Sequence, residues 1–222
     1  MEDSGDIRGI AAEPASRWFA PERLRPVHQL NRRLLSILID ESKKSAPESN
    51  LGMLGAQLSR VGDPGLERLA AIPLSLLDAG FQQDEIWHAV ADGNRQEGTK
   101  VLESPLPRAR ALELGALTFD LASNTARESQ ESARLIFGMS ASVASAFAGF
   151  SLDVVHWLGQ ARAHWIRPRW HAQPAIWKRL IETTEHSQSA RLAPVGMRAM
   201  NRLLADLEAA TRADSETRRS RR

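Results

Sequence analysis

The chain has 222 residues, 29 Lys/Arg against 27 Asp/Glu, six Trp and no cysteine. That length allows one large or two small domains with a proper core, and the missing thiols exclude a disulfide framework, thiol catalysis and cysteine-bound metal. The opening MEDSGDIRG is acidic and polar, and no run approaches about 20 uninterrupted apolar residues, so neither a secretory leader nor a membrane span is expected and the cytoplasm is the expected location.

Residues 1–25 read as a flexible N-terminal segment in which Trp18 and Phe19 could anchor on the body. From Pro26 the run Val27, Leu30, Leu34, Leu35, Ile37, Leu38 fits an amphipathic helix to about Glu41. SKKSAPESN is a loop by composition. A helix follows from Leu51 to Ser59, and Gly62-Asp63-Pro64 starts the next, with Asp63 as cap and Pro64 at the first helical position. Pro73 is expected to open a further helix carrying Leu74, Leu76 and Leu77, ended by Gly80. Gln83-Asp84 begins a short one with Ile86, Trp87 and Val90. Glycines and prolines then cluster, and a linker over 93–107 divides a helical subdomain, 26–92, from a second domain, 108–211.

In that second domain a longer helix is expected over Ala109 to Arg127, with Leu112, Leu114, Leu117, Phe119 and Leu121 mostly inward, and a short one from Glu131 to Phe137. Ser140 and Ser151 each precede an apolar-periodic run and so read as helix caps. Gly138 and Gly149 mark chain reversals, and the small residues Ser140, Ala144, Ser145 and Ala148 allow close crossing. A helix–turn–helix over 136–158 is the natural product. Pro168 keeps Ile166 to Trp170 out of a helix. Gln173-Pro174 starts another through Ile176, Trp177 and Leu180; a final helix spans about Leu192 to Thr211, and residues 212–222 form a basic tail.

The stretch from Ile136 to Leu158 resembles the core of FlhD, the smaller subunit of the bacterial flagellar master transcription regulator. The residues that carry the likeness are Phe137-Gly138-Met139, Ser140, Val143-Ala144, Phe147-Ala148-Gly149-Phe150, Ser151-Leu152 and Leu158-Gly159-Gln160, followed by Arg169-Trp170 and by Gly196-Met197 through Leu203-Leu204-Ala205-Asp206. It covers about Leu112 to Thr211, and its motifs are mostly small and apolar. Where the family has Arg directly before Leu-Gly, this chain has Ile136, with Arg134 two residues earlier. The resemblance implies an all-α short-helix bundle, dimerisation, and assembly with an FlhC-like subunit that makes much of the promoter contact.

Sliding the chain by 78 residues places Leu58 on Ile136, Leu69 on Phe147, Ala70 on Ala148, Pro73 on Ser151 and Leu74 on Leu152. Two readings follow. Either residues 58–77 and 136–155 are two copies of one helix–turn–helix, making an intramolecular pseudo-dimer, or two unrelated hairpins share a period.

No catalytic constellation emerges, and an enzyme is not expected. The six His form no metal-binding spacing, and there is no phosphate-binding glycine loop and no cofactor signature. The near-neutral total of +2 hides an asymmetry: residues 1–159 carry −5 (16 Lys/Arg, 21 Asp/Glu) and residues 160–222 carry +7 (13 against 6). A basic end suggests an anionic partner. Arg162, Arg167, Arg169, Lys178 and Arg179 are therefore the candidate nucleic-acid or anion contacts. Trp165, Trp170 and Trp177 among them are read as core plugs with Arg stems lying over them. Phe137 to Ala161 contains no Arg or Lys, unlike a base-reading helix. Ser145, Asp153, His156 and Gln160 are what that unit offers, and they are the candidate partner contacts. Two functions fit: an FlhD-like transcriptional regulator or co-regulator of motility or secretion genes with partner-assisted DNA binding, or a cytosolic adaptor of a type III secretion or motility apparatus without DNA contact.

Overall fold

The computed structural model describes residues 21–94 and 103–186. In chain order the elements are α1 (Pro21–Ser42), α2 (Asn50–Leu58), α3 (Asp63–Ala70), β1 (Leu77–Asp78), α4 (Asp84–Ala91), α5 (Arg108–Glu128), α6 (Gln130–Phe137), α7 (Ala141–Gly149), α8 (Leu152–Ala161), a 3-10 turn (Ala163–Trp165), β2 (Arg167–Pro168) and α9 (Pro174–His186). The all-α expectation holds apart from the two-residue strands, which pair antiparallel, Leu77 with Pro168 and Asp78 with Arg167. Among the described residues no single helix is long and apolar enough to cross a membrane. The expected final helix and the basic tail lie outside the described residues.

Local chemistry explains most helix starts. Ser49, Ser129, Ser140 and Ser151 each accept a hydrogen bond from a first-turn amide, of Gly52, Ser132, Val143 and Val154 respectively. Gly138 ends α6 in the left-handed conformation, φ 72°, which a side chain would resist. Gly149, expected at a reversal, is instead the last residue of α7, and Phe150 in extended conformation makes the turn. α7 and α8 then diverge by 113°. α1 begins a turn earlier than Pro26 suggests: Leu24 is buried, which anchors that turn and takes residues 21–25 out of the flexible segment. Asp63 lies inside α3 and Gly62 precedes it. On α5, Leu114 and Phe119 are buried, Leu112 and Leu121 partly so, and Leu117 faces out.

The helix expected after Pro73 does not form. Asn31, fully buried on α1, shares its amide Nδ2 among the carbonyls of Ala70 (3.2 Å), Ile72 (3.3 Å) and Leu74 (2.8 Å), while its Oδ1 accepts from Leu76 N at 2.8 Å. Four backbone groups of residues 70–76 are thereby satisfied without a helix. Ser75 N donates to the Ile136 carbonyl at 2.8 Å, and the chain enters β1. Residues 58–77 therefore match 136–155 through α3 and α7 but not beyond: α8 has no counterpart in the first half.

A correspondence resumes at a different shift, 90 residues, from Leu77 to Arg167. Each strand leads into a left-handed residue, Gly80 (φ 73°) or Trp170 (φ 55°). A turn closes from Gln83 N to the Gly80 carbonyl at 2.9 Å, and from Gln173 N to the Trp170 carbonyl at 2.8 Å. α4 and α9 follow, with Ile86-Trp87 and Ile176-Trp177 in the same places. Both indoles reach back to the turn, Trp87 Nε1 to the Gly80 carbonyl (2.8 Å) and Trp177 Nε1 to the Arg169 carbonyl (2.7 Å). At this shift the strand pairing is its own mirror, which is the arrangement a local two-fold axis between β1 and β2 produces.

The segments expected as separate domains, 26–92 and 108–211, share one hydrophobic core. At its centre Phe81 and Trp87 from the first half meet Phe119, Phe137 and Phe147 from the second, with ring centroids 4.9–6.5 Å apart. Edge-to-face contacts dominate, as ring quadrupoles favour. Trp165 closes the cluster against Trp87 at 5.6 Å.

Candidate functional site

The strand pair, the two left-handed turns and the end of α6 surround a polar cavity of about 510 Å³. Its base is an ion pair. Arg167 donates from Nε and Nη2 to one oxygen of Asp78, at 2.9 and 2.7 Å, and both side chains are about three-quarters buried. The other Asp78 oxygen accepts from Gly80 N at 2.9 Å and more weakly from Phe81 N, forming the side-chain-capped turn that Asp favours.

Arg169 supplies a second guanidinium. Its backbone N donates to the Leu76 carbonyl at 2.7 Å, continuing the strand pairing. Its side chain lies over the Trp170 ring at 4.8 Å and fills the space that a Cβ on residue 138 would need. Gly138 is thus required twice, by its φ and by the guanidinium against it. His171 also lines the cavity, and burial, then the charge of Arg167, lower its pKa against the opposing pull of Asp78. With His171 neutral, the lining carries two positive charges and one negative. Gln82, Gln83 and Gln173 complete the polar wall.

The five expected anion contacts are not one surface. Arg162 is buried, 2 % exposed, with its guanidinium between the rings of Trp157 (5.2 Å) and Trp165 (4.6 Å), so it belongs to the core. Arg167 is paired with Asp78. Arg169 faces the cavity. Lys178 and Arg179 alone are fully exposed, on the outer side of α9, where Lys178 lies 3.9 Å from Glu182. Burial of Trp165 and Trp177 agrees with their reading as core plugs, and Trp170 is partly buried.

Ser145, Asp153, His156 and Gln160 are all exposed on the α7–α8 hairpin. His156 and Gln160, one turn apart, hydrogen-bond at 2.8 Å. Leu152 beside them is 70 % exposed, the largest value among the exposed large apolar side chains, and with Leu112, Ala116 and Val155 it lines a groove of about 480 Å³ between α5 and α8. The groove exists because the two helices cross closely: a Cβ on Gly159 would sit 3.0 Å from the Ala116 Cα.

Sequence reasoning missed Asp78, the cavity and the strained Trp170. The Asp-x-Gly spacing of Asp78 and Gly80 is the signal that marks the turn; nothing in the sequence marks a bulky residue at φ 55°. No family model, no curated protein and no solved structure matches the chain.

Proposed function

We propose that the chain is an FlhD-like co-regulator of transcription that works by protein–protein assembly, with a partner subunit supplying most of the promoter contact. The observation that carries this is the α7–α8 hairpin: a helix–turn–helix whose outer face offers Leu152, Asp153, His156 and Gln160 and no cationic side chain. A helix that reads base edges needs Arg, Lys, Asn or Gln in numbers, whereas an exposed Leu ringed by polar residues suits a protein surface. The FlhD likeness of residues 136–158 points the same way, and so does the inward use of Arg162 and Arg167.

We further infer that the chain is an internally duplicated, pseudo-dimeric form of that unit. Long helix, two short helices, strand, left-handed turn and Trp-bearing helix recur in order, and the first copy lacks α8. Only the second copy then presents a complete hairpin, so the pseudo-dimer offers one partner face where a symmetric dimer would offer two. The alternative, an adaptor of a secretion or motility apparatus, is favoured by the same lack of cations on the hairpin.

Co-expression with an FlhC-like subunit from the same genome separates the two. Co-purification, loss of it in Leu152→Asp, and promoter binding by the pair but not by the chain alone are the expected results. A pair that forms yet shifts no promoter DNA would overturn the regulator reading in favour of the adaptor.

A further inference from the structure

We propose that the cavity between the strand pair and the start of α9 is a binding site for a small organic acid, its carboxylate held by Arg169. Four features of the cavity lead there, and none depends on the assembly reading.

The first is charge. Asp78 matches Arg167 within the lining, so Arg169 leaves an excess of one positive charge, which suits a monoanion. A dianion would also face the Asp78 carboxylate. The second is shape. Stacking on Trp170 and seating against Gly138 fix the plane of the Arg169 guanidinium, and a fixed planar fork matches a planar carboxylate.

The third is the asymmetry of the two helix starts that border the cavity. α4 carries Asp84 and Glu85 in its first turn, and Asp84 accepts a hydrogen bond from Ser142, so acid groups already meet its positive end. α9 has no acidic residue in its first turn. Gln173 just before it has a buried side-chain oxygen with no hydrogen-bond partner among the described residues. A carboxylate at that end gains from the helix dipole, and a hydroxyl or amine on the same molecule would satisfy the Gln173 amide.

The fourth is strain. Position 80 takes the left-handed conformation with glycine, at no steric cost, whereas the equivalent position 170 takes it with Trp. A bulky residue persists in that region where its side chain is needed, and such outliers concentrate at ligand sites. Here the Trp170 ring forms the apolar wall on which Arg169 rests.

The test is thermal melting of the full chain with lactate, acetate or citrate at constant ionic strength, with chloride and inorganic phosphate as comparators. Specific binding raises the midpoint with the logarithm of concentration, by ~3–5 °C for each tenfold once the site is filled. Lactate, with its hydroxyl, should act at the lowest concentration, and Arg169→Gln should abolish the rise while Arg179→Gln leaves it intact. Should Arg169→Gln not fold, the same titration is read on the wild type by NMR. The Trp177 indole N–H, which donates to the Arg169 carbonyl, should shift on binding, with its signal assigned through Trp177→Phe. No rise with any carboxylate, a rise with phosphate alone, an equal rise in Arg169→Gln, or a stationary Trp177 signal would overturn the proposal.

Discussion

Arg167 and Asp78 come from opposite halves of the chain and meet across a two-residue ladder, with two donors on one carboxylate oxygen at 2.9 and 2.7 Å. The other oxygen caps the Gly80 turn, so the carboxylate does two separable jobs. Asp78→Asn keeps an oxygen for the turn and loses the charge, and should cost ~1.5–3 kcal/mol. Asp78→Ala loses both and should cost about 1 kcal/mol more. Urea unfolding of the two variants, with Arg167→Met completing a double-mutant cycle, checks the separation; equal losses in Asn and Ala variants would mean that the cap contributes nothing.

Asn31 should be among the most sensitive polar positions. Replacing it by Leu leaves the Leu76 N–H and three carbonyls of residues 70–74 without their partner in the interior. Each unmade buried bond costs about 1–3 kcal/mol, so Asn31→Leu should lose at least ~3 kcal/mol despite similar volume. A loss below about 1 kcal/mol in denaturant titration would show that residues 70–76 hold their path unaided.

Phe147 is fully buried and touches rings from both halves, Phe81 and Trp87 on one side and Phe119 and Phe150 on the other. Phe147→Ala should destabilise by roughly 3–5 kcal/mol, in a single cooperative transition because the halves share that core. Two separate transitions in the variant would show that the halves unfold independently.

These positions also show what the sequence could and could not reveal. The hairpin was legible because its signals are local: Ser140 and Ser151 cap their own helices, and Gly138 terminates the one before. Pro73 misled because a proline at a helix start is a local signal too, and the group that overrides it lies about forty residues away on α1, in Asn31. The repeat was half visible for a related reason. A single shift of 78 aligns the parts before α8, and the absent α8 displaces everything after it to a shift of 90. Arg162 looked like surface because a charged residue in a basic run usually is, and only the rings of Trp157 and Trp165 on either side reveal otherwise. The cavity joins residues 78–83 to 167–173, and no spacing within either segment announces the other.

Stability should fall as pH drops below about 6.5. His28 and His171 are both partly buried, and desolvation lowers their pKa in the folded state below the ordinary 6.5. The unfolded chain therefore takes up protons first as pH falls, so stability is full above that value and is lost through the window down to the folded pKa values. His28→Gln/His171→Gln should flatten the pH dependence of the unfolding free energy between pH 6.5 and about 5. An unchanged slope would assign the dependence to other groups.

Any direct phosphate contact by the described residues should fall to Lys178 and Arg179, the two expected cations that stand fully exposed. Arg162 is enclosed by indoles and Arg167 is held by Asp78, so changing either would test folding rather than binding. Lys178→Ala/Arg179→Ala touches neither core nor cavity, and its melting temperature should match the wild type. If both side chains meet phosphate in the assembled regulator, each neutralised phosphate contributes ~0.9 to the slope of log affinity against log salt, and the double change should reduce that slope by about 2. Because phosphate contact carries no base information, the loss should be uniform across promoter and scrambled DNA. The measurement is a titration of the chain with its partner subunit at several salt concentrations, on both DNAs. An unchanged slope would place the phosphate contacts wholly on the partner, and a loss confined to promoter DNA would show that α9 reads sequence rather than charge.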